Sequence, residues 1–171
     1  MNLIQPLACI PVGVVVERRK AASSWAEFIW RPVEVFVGLP AAVPWTMLST
    51  EAEATVFYAG PAEIELYRSD AERYRENLHS GAPSVWVALR TTGGEWPYEV
   101  STVTADPAEG EGLSVAGQGI IEAVAMCEPL RDAIAAFVAE HFVEIGFTKR
   151  VRDCADPEAL ARRGPLVTKR R

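Results

Sequence analysis

"IELYRSDAERYRENLHSGAPSVWVALRTTGGEWPYEVSTVTADP", residues Ile64 to Pro107, changes its period twice and so decides the fold. Ile64 and Leu66 alternate with Glu65, as on a half-buried strand. Ser69-Asp70-Ala71-Glu72 then has the form of a capping box, Tyr74 and Leu78 lie one helical turn apart, and Gly81 is a stop signal. Together they predict a helix over Asp70 to Ser80. "SVWVALRT" and "PYEVSTVTAD" follow as two runs of β-formers joined through Gly93-Gly94, the pattern of a hairpin. A helix followed by a hairpin does not alternate as a doubly wound parallel sheet does.

Upstream, "PVGVVVERRK" reads as a buried strand ending in Arg18, Arg19 and Lys20. "FIWRPVEVFVG" is a second strand, with Val33, Val35 and Val37 in alternation, and a small polar link from Lys20 to Ser24 makes the two an antiparallel hairpin. Pro32 marks an edge strand or a bulge. The three cations are expected to solvate the strand exit, and Trp25 and Trp30 to pack against the sheet. In "ATVFYAGPAEIELYR", Val56, Tyr58, Ala62, Ile64 and Leu66 keep even parity through Gly60-Pro61. One long strand bent there explains the parity, with a tight hairpin as the alternative. Glu63 and Glu65 fall on its solvent side.

Downstream, "DPAEGEGLSVAGQG" opens like a helix, with Asp106 as cap and Pro107 at the first position, but Gly110 and Gly112 weaken it. "IIEAVAM" is a last strand. "EPLRDAIAAFVAEHF" places Leu130, Ile134, Phe137, Val138 and His141 on one helical face. The expected architecture is a single α+β domain over residues 1–147. It has a mostly antiparallel sheet of about six strands with two or three helices on one face. A basic C-terminal tail, residues 148–171, is expected to be largely extended or disordered.

The chain carries a net charge of −6, unevenly spread. Eight of the 17 Lys and Arg but only three of the 23 Asp and Glu lie from Thr148 onward, leaving +5 on the tail and −11 on the rest. A body of that sign repels phosphates and argues against a nucleic-acid platform. The tail cations Lys149, Arg150, Arg152, Arg162 and Arg163 are candidates for docking on an acidic protein surface or an anionic ligand. Cys9, Cys127 and Cys154 are far apart, which fits a reducing compartment, and a disulfide framework is not expected. The N-terminus lacks the basic region and cleavage site of a signal peptide, and Pro6 and Pro11 interrupt its apolar stretch. A cytoplasmic protein without membrane insertion is expected.

Catalytic patterns are sparse. "GEGLSVAGQG" lacks the x-G-K-[ST] ending of a phosphate loop, no G-x-S-x-G occurs, and His79 and His141 stand apart from any Cys or Ser in sequence. Catalytic, metal and cofactor sites are therefore not expected.

The segments "IPVGVVVERRK", "WRPVEV", "YAG", "IELYR", "YRENL", "GAPSVWVALR", "EVSTVTADPAE" and "FVAEHFVEIGFTKRVRDCADPEALARRG" occur in this order. Together, from about Ile10 to Gly164, they resemble the bacterial domain-of-unknown-function family number 3305. Genes of that family typically lie beside those of a molybdopterin-dependent formate dehydrogenase and its chaperone. The resemblance thus implies a non-enzymatic accessory role in maturation or assembly of that enzyme, with one of its subunits or its chaperone as protein partner. The alternative is a nucleotide-using enzyme of molybdopterin-guanine dinucleotide biosynthesis, a label some members carry. That enzyme opens on a glycine-rich loop, whereas here the first strand runs into "ERRKAASSW", which has no glycine.

Overall fold

The computed structural model describes residues 5–22, 25–115 and 119–143. In chain order its elements are β1 (Ala8–Lys20), β2 (Phe28–Val37), β3 (Thr46–Thr50), β4 (Ala54–Leu66), α1 (Ala71–His79), β5 (Ser84–Thr91), β6 (Tyr98–Thr104), α2 (Pro107–Val115), β7 (Ile120–Ala125) and α3 (Glu128–His141). The α+β class and the antiparallel pairing are as expected. The strands, however, divide into a four-stranded sheet, β2-β1-β4-β3, and a three-stranded sheet, β6-β5-β7. β3 was not expected from its sequence, because "TMLST" shows no alternation of apolar and polar residues. The two sheets meet on both sides, where β4 approaches β6 and β2 approaches β7 without sharing a ladder.

One core fills the space they enclose. Val12, Val14, Val16 and Val35 of the first sheet meet Val85, Val87, Leu89, Val103 and Val124 of the second, with Tyr74 of α1 and Leu130, Ile134, Phe137 and Val138 of α3. Burial of such β-branched and aliphatic side chains is the main stabilising term, at about 1.5–3 kcal/mol for each fully buried one. Bulges curve the wall. β1 shifts register against β4 between Val14 and Val15, where Ala59 is the extra residue. Gly60 supplies the φ of +142° that this bend requires. The Gly60-Pro61 question is thereby answered: β4 is one strand. β2 is an edge strand with a second bulge beside Pro32, as its proline foretold.

Two expectations about the first hairpin need correction. Arg18, Arg19 and Lys20 are the last three residues of β1, still laddered to Trp30, Ile29 and Phe28 of β2; Arg19 and Lys20 are exposed as expected, but Arg18 is not. Arg18 continues the core-facing parity of Val14 and Val16, so its guanidinium lands on rings instead of in water. It lies 4.6 Å from the Phe28 centroid, 5.2 Å from Phe57 and 5.6 Å from Trp30. Trp25 falls in the connection before β2 and is 95% exposed, so it does not pack on the sheet. Trp30 does.

The helices form where expected, with different caps. The Ser69-Asp70 capping box does not form. A 3-10 turn over Arg68–Asp70 leads into α1 with no side-chain cap, and Asp70 Oδ1 pairs instead with Arg73 Nη2 at 2.7 Å. Asp106, by contrast, caps α2: its Oδ1 accepts the Ala108 N–H at 2.9 Å. α2 forms despite its glycines because Trp86 of β5 lies against it. A Cβ on Gly110 would sit 2.2 Å from Trp86 Cγ, whereas nothing lies within 4 Å of one on Gly112. Gly110→Ala is therefore expected to destabilise by about 1–3 kcal/mol through overpacking. Gly112→Ala should instead stabilise, by up to about 1 kcal/mol, through helix propensity. Urea denaturation of the two variants reads the opposite signs; a shared sign would show that Trp86 gives way.

Candidate functional site

Beyond the bulge, β4 buries Ile64 and Leu66 and turns Glu63 and Glu65 outward. In β6, Val103 belongs to the core and Thr102 and Thr104 alternate with it. Here, among the described residues, β4 pairs only with β1, and β6 only with β5. Between these two open strand edges runs a groove of about 380 Å³, lined by Glu63, Glu65, Tyr67, Ser101, Thr104 and Glu109 among others. Glu109 comes from the first turn of α2, placed there by the Asp106 cap.

The groove is acidic, with no Lys or Arg among the described residues that line it. The Tyr67 hydroxyl donates to Glu65, and that bond is the main reason its pKa is pushed up to about 12. Thr104 Oγ1 donates to Glu109 Oε2 at 2.6 Å and accepts the Asp106 N–H at 3.1 Å. Hydroxyls thus hold two of the three carboxylates in place. No three His, Cys, Asp or Glu among the described residues are grouped so as to hold a metal ion. The chemistry on offer is recognition of cations and of backbone N–H groups.

Behind the groove lies an ion pair linking α1 to α2. Arg73 Nε donates to both oxygens of Asp106 at 2.8 Å, and Nη2 bridges Asp106 and Asp70 at 2.7 Å each. The hydrogen bond to Asp106, which is only 4% exposed, raises the Arg73 pKa above its ordinary value.

The residues singled out from sequence fall elsewhere. Lys149, Arg150, Arg152, Arg162 and Arg163 lie outside the described residues, as do Cys154 and the proposed tail. His79 Nδ1 is 2.7 Å from the Arg75 carbonyl, and His141 packs its ring 4.5 Å from Phe137, so both serve α1 and α3 locally. Cys9 and Cys127 are unbonded thiols, one exposed and one partly buried. Glu63 and Glu65 are on the solvent side as expected. Their neighbours Thr104 and Glu109 were not foreseen, because no local pattern tells which strand will stand beside β4.

A different surface lies at the far edge of the first sheet. Among the described residues the outer side of β3 has no strand partner, and its Met47 and Leu48 are 61% and 53% exposed, beside Val43 at 73%. "TMLST" carries no charge. No helix among the described residues is long and apolar enough to cross a membrane.

No curated protein and no solved structure matches the chain. Residues 11–151 match a family described as protein of unknown function (DUF3305), and the chain, with its paired sheets and acid-lined groove, belongs to that family.

Proposed function

We propose that this protein is a non-enzymatic accessory protein that acts by binding another protein. Following the family resemblance, the partner is a subunit of a molybdopterin-dependent formate dehydrogenase, or the chaperone of that enzyme, during its maturation or assembly. The observation that carries the reading is the uncharged edge of β3, without a strand partner among the described residues and with Met47 and Leu48 exposed on it. Isolated strands of this kind are normally blunted by Lys, Pro or a cover, because they template pairing with another chain. Left open, such an edge suits strand addition, with backbone bonds giving affinity and the apolar side chains giving selectivity. Lys149, Arg150, Arg152, Arg162 and Arg163 supply a second, salt-sensitive contact with an acidic partner surface. A nucleotide-using enzyme is disfavoured by the lining of the groove, since Glu63, Glu65 and Glu109 repel a triphosphate.

Titration calorimetry of the full chain against the purified dehydrogenase subunits and their chaperone tests this. One of them is expected to bind. Met47→Lys with Leu48→Lys should weaken binding at least about tenfold, about 1.4 kcal/mol. Failure of every candidate to bind overturns the assigned partner, unchanged affinity in the double variant removes β3 as the surface, and magnesium-dependent GTP binding would favour the enzyme.

A further inference from the structure

We propose that the groove between β4 and β6 is a docking surface for an extended, Lys/Arg-rich segment, and that its occupant is this chain's own stretch 162–171. The inference rests on the reading of the tail as a docking arm and says where that arm lies without its partner.

Two properties of the groove select the occupant. The first is its edges: among the described residues, β4 from Ala62 to Leu66 and β6 from Val100 to Thr104 each have a ladder on one side only. Unpaired N–H and C=O groups on a strand edge recruit an extended chain, not a helix. The second is its charge, since three carboxylates and no cation line it among the described residues. "RRGPLVTKRR", residues 162–171, fits both. Gly164-Pro165 bars a helix, Leu166-Val167-Thr168 favour a strand, and Arg162-Arg163 and Lys169 to Arg171 flank it with cations. It holds five of the 17 Lys and Arg and no Asp or Glu.

The path is short enough. The described chain ends at Val143, just after Phe142, whose ring lies 4.8 Å from the Arg75 guanidinium on α1. α1 is tied through Arg73 to Asp106, the cap of the helix that brings Glu109 to the groove. An extended chain spans up to about 3.3–3.6 Å per residue, so residues 144–161 can reach roughly 60 Å.

Carbodiimide coupling of the full chain, mixed from light and isotope-labelled copies, provides the test. The chain has three lysines, Lys20, Lys149 and Lys169, besides its α-amine, and peptide mapping tells these four amines apart as partners of each new amide. Links from Lys169 to Glu63, Glu65 or Glu109 are expected, within one copy, and should fade at high salt as exposed charges are screened. A variant with Arg162, Arg163, Arg170 and Arg171 all changed to Ser retains Lys169 and every carboxylate, and should lose most of that yield. In the unchanged protein, amide exchange across Val100 to Thr104 should be slower than in the variant, which reads edge pairing without cross-linking. Three results would overturn the proposal: Lys169 linked mainly to other carboxylates, links found only between copies, or the same yield without the four arginines. None depends on which partner the protein serves.

Discussion

Replacing Trp30 with alanine is expected to lower the unfolding free energy by about 3 kcal/mol, measured by urea denaturation. The ring is the hub of an aromatic group built from both sheets. Trp45 and Phe57 stand 5.7 Å and 5.9 Å from it on the first sheet, and Trp96 and Tyr98 stand 6.4 Å and 6.1 Å away on the hairpin of the second. Removing it leaves a cavity where the sheets join, and large-to-small changes of this kind cost about 3–5 kcal/mol when fully buried. Trp30 is only partly buried, so the lower end applies. Trp45 depends on the same group. It is the one non-glycine residue with positive φ among those described, at 66°, a conformation costing about 1–2 kcal/mol. Its 5.2 Å stack on Trp96 and its N–H bond to the Tyr58 carbonyl hold it there. Arg18→Ser should cost less, about 0.5–2 kcal/mol, because a cation–π contact is weaker than a buried ring. A larger loss from Trp25→Ala than from Trp30→Ala would show that this group does not join the sheets.

Parity and punctuation made most of the secondary structure legible. The even positions of β4, the face Leu130-Ile134-Phe137-Val138 of α3 and the Gly93-Gly94 hairpin all follow from periods that a single segment contains. What a segment does not contain is its neighbour. Arg18 shares the parity of Val16, but its stacking on Phe28 and Phe57 depends on which strands flank β1. The same holds for the groove. Glu63 and Glu65 read correctly as outward-facing, yet their meeting with Thr104 and Glu109 is set by the approach of β4 to β6, which share no ladder and no loop. Two sheets replaced one for a related reason: α1 carries the chain away from β4, and nothing in "SVWVALRT" says whether it returns to the same sheet. Ser69-Asp70 failed as a cap because Arg73 competes for the Asp70 carboxylate, an ion pair that the local motif leaves out.

Asn77 is the residue whose pattern was most misleading, and Asn77→Ala is expected to destabilise by about 3 kcal/mol. Sequence periodicity paired Tyr74 with Leu78, but Asn77 is the buried one, 4% exposed, while Leu78 lies at the rim. Its side chain makes three bonds to backbone. Nδ2 donates to the carbonyls of Ser84 and Ala105 at 2.8 Å each, and Oδ1 accepts the Ser84 N–H at 3.1 Å. It therefore pins α1 to the start of β5 and to the end of β6, and no buried side-chain polar atom among the described residues is left without a partner. Alanine strands three backbone groups, and each unsatisfied buried group costs about 1–3 kcal/mol, less where water enters the space left behind. Asn77→Asp separates the polar bonds from packing, since it keeps the volume and the acceptor but turns the two donors into an anion facing two carbonyls. Burial beside those carbonyls favours the neutral acid, so the folded-state pKa of the new carboxyl lies above its unfolded value of about 3.9. Its folded form then binds the proton more tightly than the unfolded chain. The deficit relative to the unchanged protein should thus shrink below that unfolded value and grow as pH rises through the folded one. A deficit for Asn77→Asp that stays flat from pH 3 to pH 7 would mean that the amide donors are not what holds α1 to the sheet.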